Sequence, residues 1–256
     1  MIFVKSAEAI ALIKEGAEIL SKVHGRIAKE IKPGVTTQRL DEVAEEFIRD
    51  SGGVPSFKGY KKFPATLCTS VNEYVVHGLP SDYALKEGDI VAIDCGVYYK
   101  GFHSDAAFTY PVGMISDELM RLLQVTKEAL YCGIREAKVG NRIGDIGCAI
   151  QHHAQSHSYS VVRELVGHGV GRMLHEDPQV PNYGKKGYGA RLKQGMVLAI
   201  EPMINLGKRQ IVQEAGGQFR TLDRKAAAHF EHTVAVSEKD ADILTTYQYI
   251  EEVFKF

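Results

Sequence analysis

The sequence predicts an α+β fold made of two related halves, each with two helices followed by antiparallel strands. Apolar residues three and four positions apart, which are typical of helices, occur in two separate pairs of segments. Each pair precedes β-branched stretches that are typical of strands. The stretch LKEGDIVAID at residues 85–94 also recurs as LKQGMVLAIE at residues 192–201, with Leu, Lys, Gly, Ala and Ile at matching places and a carboxylate at the end of each copy. Amphipathic helices resemble one another by chance, but this repeated stretch favours a duplication with pseudo-repeats over roughly residues 7–110 and 113–236.

The first helix pair begins close to the start of the chain. Pro33 and Gly34 separate its two helices, and Thr36 or Thr37 is placed to cap the second one. The other pair begins after Ser116 and is interrupted at Gly140. The predicted helices cover residues 7–30, 36–50, 117–137 and 143–157.

Strands are expected after each helix pair, where β-branched and aromatic residues replace the helical spacing. No stretch rich in Pro, Ser or Gly divides the chain, so we expect one domain over residues 1–256. The predicted strand segments are LCTSVNEYVV (67–76), DIVAIDCGVYY (89–99), FTYPV (108–112), MVLAIEPMI (196–204) and HTVAV (232–236).

Composition and charge indicate an ordinary globular protein. Apolar residues make up 45% and charged residues 25%, and the net charge of −1 excludes a general attraction to nucleic acid or anionic membranes. No apolar run approaches the roughly 20 residues of a membrane span. Lys5, Glu8 and Lys14 interrupt the apolar residues at the start, so we do not expect a signal peptide. The four cysteines lack CxxC spacing, which fits free thiols in the cytoplasm better than a zinc thiolate site.

Two acids in the first half stand near the end of an apolar run. In DIVAIDCGVYYKGFHSDAAFTY, Lys100 and Gly101 are suited to a two-residue hairpin loop. That loop would pair Gly96 with Asp105, and it would make Asp94 and Asp105 diagonal neighbours on one face, roughly 7 Å apart at the backbone. Two carboxylates so placed repel one another unless a proton or a cation lies between them.

The second half supplies a matching set. HFEHTVAV at residues 229–236 echoes HSDAAFTY at residues 103–110, and a His-Gly pair precedes each repeated stretch. Taken singly, an acid at a strand end is more often solvated, and a histidine beside glycine is more often structural. Four acids at matched places favour a shared centre for divalent Mn, Fe, Co or Zn, and their number favours two bridged ions. The set comprises His77, Asp94 and Asp105 from the first half and His168, Glu201 and Glu231 from the second.

These residues and their spacing closely resemble type I methionine aminopeptidases, which are metallopeptidases of the pita-bread fold. The resemblance implies pseudo-twofold halves around a central curved sheet and a metallopeptidase catalytic domain. The short interval between Glu201 and Glu231 leaves no room for the helical insert of type II enzymes. Because no N-terminal extension precedes the helices, we expect the bacterial short form. The motifs that carry the likeness are IKPGVTTQRLDEVAEEFI, VHGLP, GDIVAIDCG, GFHSDAAFTY, VVRELVGHGVGR, LHEDPQVPNYG, GMVLAIEPMI and FEHT.

The resemblance also implies a ligand set for two divalent ions, with cobalt, manganese, iron and zinc all left open. Asp105 and Glu231 would bridge the ions, Asp94 would bind one of them, and His168 with Glu201 would bind the other. The substrate's free α-amine would bind the ion held by Asp94, which would make the enzyme an exopeptidase.

The implied activity is that of a methionyl aminopeptidase, which hydrolyses the bond after an N-terminal methionine with the help of its metal ions. Glu201 would take the proton of the attacking water and pass it to the leaving amine. His77 would contact the scissile amide, and His175 would contact the carbonyl oxygen as it becomes tetrahedral. Either histidine taken alone could instead be structural.

The resemblance further implies an apolar pocket for the methionine side chain. Taken alone, FKGYKKF is typical of an ordinary loop with aromatic anchors. Two departures from the family are visible: Leu174 stands where relatives often have Phe, and Gly217 falls near the place of a Trp that this chain lacks. We therefore expect a more open rim. The implied pocket residues are Phe57, Tyr60, Phe63, Cys68 and Leu174.

Two other functions are weighed against this one. A proline-directed aminopeptidase of the same fold would carry a further N-terminal domain, and an inactive binding protein on this scaffold would have lost ligands, whereas all five positions keep theirs. QHHAQSHS contains His152, His153 and His157, and the last two have helical i, i+4 spacing. We interpret them as a solvated face because no carboxylate lies nearby in sequence, with adventitious zinc binding as the alternative. VGHGVGR lacks the spacing of phosphate-binding loops.

The partners implied are the N-termini of nascent polypeptides, with a small second residue preferred. GKKGYGARLK is interpreted as a solvated basic loop, and transient contact with the ribosome is the alternative. We expect no nucleic-acid role, no membrane association, a monomer and a cytoplasmic location.

Overall fold

The computed structural model describes residues 1–254 and confirms all four predicted helices to within two residues at each end. Ser6, Thr36 and Ser116 cap three of them, each accepting a hydrogen bond from a backbone amide three positions later. A short fifth helix near the end was not predicted. The helices are α1 (Ala7–Glu30), α2 (Thr37–Asp50), α3 (Asp117–Arg135), α4 (Ile143–Ser156) and α5 (Gln248–Glu251).

The strands follow each helix pair, as predicted, but they are more numerous than the sequence patterns suggest. Asn72, whose φ is +53°, divides the first predicted segment into two strands. The strands are β1 (Val54–Pro55), β2 (Leu67–Val71), β3 (Tyr74–Val76), β4 (Ile90–Tyr99), β5 (Phe102–Pro111), β6 (Ser160–Val161), β7 (Gly167–Gly169), β8 (Glu176–Val180), β9 (Val197–Ile200), β10 (Met203–Asn205), β11 (Ile211–Gln213), β12 (Phe219–Thr221), β13 (Ala227–His229), β14 (His232–Ala235) and β15 (Asp242–Ile243).

Antiparallel pairing organises these strands into one main sheet in each half. In the first half β4 lies between β2 and β5, and β1 also pairs with β4. In the second half the order is β15-β14-β9-β7-β8. Smaller sheets, β13-β10-β6 and β11-β12-β3, lie beside them. The architecture is therefore the expected α+β arrangement of two helix-and-strand halves.

Reciprocal threonine hydrogen bonds join β5 of the first half to β13 and β14 of the second half. The hydroxyl of Thr109 donates to the carbonyl of His229 at 2.7 Å and accepts from its amide at 2.9 Å. The hydroxyl of Thr233 does the same for Asp105, at 2.7 and 3.0 Å. Between them, the amide of Glu231 donates to the carbonyl of Ala107 at 2.9 Å. The acids of the two halves are therefore brought together by threonine and backbone hydrogen bonds between β5 and the β13–β14 segment.

The helices cover the sheets and bury their apolar sides. α1 packs on β4, β5, α2 and α5, while α3 packs on α4 and on strands of the second half. His24 fixes α1 to the first sheet, because its two ring nitrogens lie 2.9 Å from the hydroxyl of Tyr110 and 3.0 Å from the carbonyl of Ala106. Within residues 1–254, no helix is long and apolar enough to cross a bilayer.

Candidate metal centre

The β4–β5 hairpin places the first two acids of the predicted set. Its turn is Lys100-Gly101, with φ values of +47° and +90°, as a tight two-residue turn requires. The predicted register is confirmed: Asp94 pairs with Ala107, and Gly96 pairs with Asp105. Because side chains alternate along a strand, Asp94 and Asp105 lie on the same face of the hairpin.

His168 lies at the middle of β7, between two glycines. A Cβ atom at Gly167 would lie 2.4 Å from the carbonyl oxygen of Ala199, and one at Gly169 would lie 2.3 Å from that of Asp177. Both glycines are therefore needed for close pairing of β7 with its neighbours, which explains the glycine-rich stretch without a phosphate. The carbonyl of Gly169 lies 2.8 Å from His168 Nδ1. A proton on Nδ1 satisfies that carbonyl and leaves the lone pair of Nε2 facing the acids.

The two glutamates come from neighbouring strands of the second half. Glu201 follows β9 directly, and Glu231 stands immediately before β14. Glu201 Oε1 lies 3.7 Å from His168 Nε2, and Asp105 Oδ2 lies 3.8 Å from the same nitrogen. Asp105, His168 and Glu231 each offer a ligand atom, and these atoms lie within 4.8 Å of one another.

Burial makes this cluster of acids unfavourable without a counter-charge. Asp94 Oδ1, Asp105 Oδ1 and Glu231 Oε1 are buried with no hydrogen-bond partner among residues 1–254. Burial raises the pKa of Asp94 to about 7 and that of Glu201 also to about 7. Burial and the neighbouring carboxylates hold the pKa values of Asp105 and Glu231 well above their usual range. Divalent first-row metals bind carboxylate oxygens together with imidazole nitrogen. The unpartnered oxygens and the nitrogen of His168 therefore fit such ions.

The acids line a cavity of about 530 Å³, a size typical of small-molecule sites. His77 and His175, the two predicted non-ligand histidines, also line it. The ring of His175 lies 4.2 Å from that of His168, and its Nδ1 lies 3.1 Å from the hydroxyl of Tyr60. Desolvation in the cavity, together with His168 and Lys61, lowers the pKa of His175, so its imidazole is neutral at pH 7.

One wall of the cavity is apolar and contains all five residues predicted for the pocket. A Cβ atom at Gly96 would lie 2.9 Å from Phe57 Cε1, so Gly96 allows the Phe57 ring to pack against β4. Gly217 also lines the cavity, and a Cβ atom there would meet nothing within 4 Å. Phe57, Cys68 and Leu174 are buried in one cluster, and Tyr60 and Phe63 pack against it.

The structure adds His229, which sequence reasoning did not assign to the site. Its Nε2 lies 3.5 Å from Glu201 Oε2, and its ring is 1% exposed. Neither ring nitrogen has a hydrogen-bond partner among the described residues. The position of His229 two residues before Glu231 was the available signal, since residues two apart on an extended strand point to the same side.

Two other predictions concern residues that lie away from this cavity. Residues 184–189 of the basic loop are exposed, as expected. His153 and His157 do lie together on α4, but Glu128 of α3 lies 2.9 Å from His153 Nε2. These histidines are half-buried, and their carboxylate partner comes from another helix, so no carboxylate close in sequence marks it.

Comparison with known proteins gives a consistent result. Residues 11–238 match the model of metallopeptidase family M24. The chain is 50% identical to methionine aminopeptidase 1 of Bacillus subtilis over 96% of this chain and 99% of that protein. It is 48% identical to methionine aminopeptidase of Clostridium perfringens over the same shares.

Solved structures agree with the sequence comparison. The crystal structure of methionine aminopeptidase from Rickettsia prowazekii matches with a TM-score of 0.95 at 38% identity, covering 96% of this chain and 100% of that one. Prolidase from Pyrococcus furiosus matches at 24% identity with a TM-score of 0.79, and 65% of that chain is covered, so that likeness concerns the fold alone. The fold is the pita-bread fold of these enzymes. The chain therefore belongs to metallopeptidase family M24 and, within that family, to the methionine aminopeptidases.

Proposed function

We propose that this chain hydrolyses the peptide bond after an N-terminal methionine, acting on nascent proteins and peptides. The observation that carries the proposal is the meeting of buried, unpartnered carboxylates with an apolar wall in one cavity. The first feature suits a metal-assisted hydrolysis, and the second suits an unbranched apolar side chain.

In this proposal Asp94, Asp105, His168, Glu201 and Glu231 hold two divalent ions. Bound ions would acidify the attacking water and polarise the scissile carbonyl. Neutral imidazole and carboxylate ligands bind cobalt, manganese, iron and zinc alike, and the availability of each metal in the cell decides which one occupies the site.

Glu201 acts as the general base and then as the general acid. Its carboxylate lines the cavity together with the other acids, so it is placed to exchange a proton with a water held there. Oε1 faces His168 and Oε2 faces His229, so an imidazole lies on either side of the carboxylate. The carboxylate accepts a proton from the attacking water and delivers it to the leaving amine.

His175 stabilises the carbonyl oxygen as it gains negative charge. If the Tyr60 hydroxyl donates to Nδ1 across their 3.1 Å contact, the neutral ring carries its proton on Nε2. Nε2–H is then a donor for the developing oxyanion. His77, which packs edge-on against Phe219 with ring centroids 5.7 Å apart, contacts the scissile amide from the other side.

The apolar cluster around Phe57 and Leu174 binds the methionine side chain. Its unbranched thioether adapts to an irregular apolar wall and makes favourable contacts with aromatic rings. Leu174 and the open space beside Gly217 make the rim wider than a Phe and a Trp would. The proposal includes a preference for a small second residue, as the family resemblance implies.

The pseudo-repeats at residues 7–110 and 113–236 work as one catalytic domain in this proposal, since each supplies part of the ligand set. Nascent chains carry N-terminal methionine in the cytoplasm, which is where the proposal places the enzyme, as a monomer. Residues 184–189 of the basic loop are exposed and available for transient contact with the ribosome.

Metal content and methionine release test the proposal together. We expect protein loaded with Mn²⁺, Co²⁺ or Fe²⁺ to release methionine from Met-Ala-Ser, and to release nothing from a peptide with a blocked α-amine. A proline-directed enzyme would instead cleave an Xaa-Pro peptide, and a binding protein would cleave neither. Loaded protein that releases no methionine would refute the proposal.

A further inference from the structure

A second group of metal-ligating side chains lies between α3 and α4 and shares no residue with the candidate metal centre. Glu128 comes from α3, His153 from α4 and His157 from the end of α4. Each offers a ligand atom, and these three atoms lie within 4.8 Å of one another. A tetrahedral zinc ion holds nitrogen and oxygen ligands about 3.4 Å apart, so small side-chain rotations suffice to close on an ion.

Hydrogen bonds around His157 orient its ring for ligation. The carbonyl of His153 lies 2.9 Å from His157 Nδ1, and the hydroxyl of Ser156 lies 3.2 Å from the same nitrogen. A carbonyl can only accept, so the proton resides on Nδ1 and the lone pair on Nε2. Metal-binding histidines commonly donate their second nitrogen to a carbonyl in this manner.

His153 faces the carboxylate and the second imidazole. Its Nε2 lies 2.9 Å from Glu128 Oε2, and its ring centroid lies 4.7 Å from that of His157. The side chain of His153 is 21% exposed and that of Glu128 is 59% exposed, so an ion can enter from solvent. The i, i+4 spacing on one helix and the carboxylate on its neighbour place three donors around one point.

The surroundings favour a cation. The site lies at the C-terminal end of α4, where the helix dipole attracts positive charge. Glu128 and His157 also line a cleft of about 390 Å³ together with Asp117 and Arg121, whose charges offset one another. The cleft leaves room for water as a fourth ligand.

We propose that Glu128, His153 and His157 form a second, non-catalytic site for a zinc-class ion that ties α3 to the end of α4. Two imidazoles and one carboxylate suit Zn²⁺, Co²⁺, Ni²⁺ or Cu²⁺ and are poorly suited to Mg²⁺ or Ca²⁺, which require more oxygen donors. The site adds a link between the two helices of the second half, and it does not depend on the proposed peptidase activity.

Zinc titration of the metal-free protein tests this site. Equilibrium binding is measured against a chromophoric chelator for the wild type and for His153→Ala, His157→Ala and Glu128→Gln. His152→Ala is the matched control, because His152 lies on the same helix but is exposed and outside the cluster. We expect the wild type and the control to bind one zinc equivalent more than either histidine variant. Glu128→Gln should weaken that equivalent by at least about tenfold.

Two further measurements keep the result interpretable. Circular dichroism melting of each metal-free variant checks that it folds, and Mn²⁺-loaded methionine release should be the same in all five proteins. Equal zinc binding in the wild type and all three cluster variants would overturn the proposal. Loss of the same equivalent in His152→Ala would also overturn it, since zinc would then not require this cluster.

Discussion

Replacing Glu201 with glutamine should abolish activity and at the same time stabilise the metal-free protein. The two effects have opposite signs because the carboxylate is useful for chemistry and unfavourable for folding. Burial raises its pKa from 4.5 to about 7, so keeping it ionised in the folded protein costs free energy. Glutamine has the same shape but carries no charge to desolvate.

The size of the stabilisation follows from that pKa shift. A raised pKa in the folded state favours folding below the unfolded value, and this advantage is lost as pH rises through about 7. At pH 7.5 the charged carboxylate costs roughly 3 kcal/mol, and at pH 5 this falls to below about 1 kcal/mol. Roughly 3 kcal/mol is a ceiling, since a buried amide is also incompletely solvated. In a protein of this size it corresponds to a rise in melting temperature of at most about 10 °C.

Thermal melting in EDTA at pH 7.5 and pH 5, with methionine release measured separately, checks both effects. Glu164→Gln is the control, because Glu164 lines the same cavity but its side chain is 43% exposed. We expect Glu201→Gln to melt several degrees higher than the wild type at pH 7.5 only, and to lose at least about 100-fold in kcat. The control should change stability by less than about 0.5 kcal/mol.

Two results would refute this reasoning about Glu201. A melting temperature that is unchanged or lower at pH 7.5 would show that burial of the charge does not destabilise the fold. Activity within tenfold of the wild type would remove Glu201 from its role in proton transfer.

Two further predictions concern residues around the site. Tyr60→Phe removes the hydroxyl 3.1 Å from His175 Nδ1, so kcat for a methionyl peptide should fall about five- to tenfold with little change in KM. Steady-state kinetics check this result, with Tyr188→Phe as the control because Tyr188 is exposed. An equal fall in kcat for Tyr188→Phe would contradict the prediction. His24→Gln should flatten the loss of stability in acid, measured by urea unfolding of the metal-free protein between pH 7 and pH 4. Burial lowers the pKa of His24 to about 4, so as pH falls below 6.5 the histidine is protonated in the unfolded chain before it is protonated in the folded protein. This difference destabilises the wild type by up to about 3 kcal/mol. If the free energy of unfolding falls as steeply with pH in the variant as in the wild type, the prediction is wrong.

Local patterns were sufficient to predict the β4–β5 hairpin and the strands beside Glu201 and Glu231, but β7, which carries His168, was not among the predicted strands. Helix spacing and capping residues act within a few positions, and a two-residue turn fixes the register of a hairpin, which is why the pairing of Gly96 with Asp105 could be written down from sequence. The proposed ligand set was inferred from the matched acids of the two halves together with the family resemblance. These predictions did not require knowledge of how the halves pack.

Contacts between distant side chains could not be predicted in the same way. His229 faces Glu201, and Glu128 faces His153, only because separate elements pack together. The β11–β12 hairpin was missed because its strands are three residues each, too short to show an alternating pattern. Side-chain chemistry at such meeting points depends on tertiary packing, for which a single sequence has no periodic signal.

The two copies of the repeated stretch have different backbone surroundings, and this difference fits their proposed roles. Asp94 lies inside the ten-residue strand β4, paired with Cys68 on one side and Ala107 on the other, so its position is fixed by two neighbouring strands. Glu201 lies just past the end of β9, where Pro202 interrupts the strand. The carboxylate of Glu201 thus extends from a strand end toward His168 and His229, which suits its proposed proton transfer, while the fixed backbone of Asp94 suits its proposed role as a ligand. The two similar stretches therefore present their acids differently, and the residue after each acid differs accordingly: Cys95 continues β4, whereas Pro202 follows Glu201 beyond the end of β9.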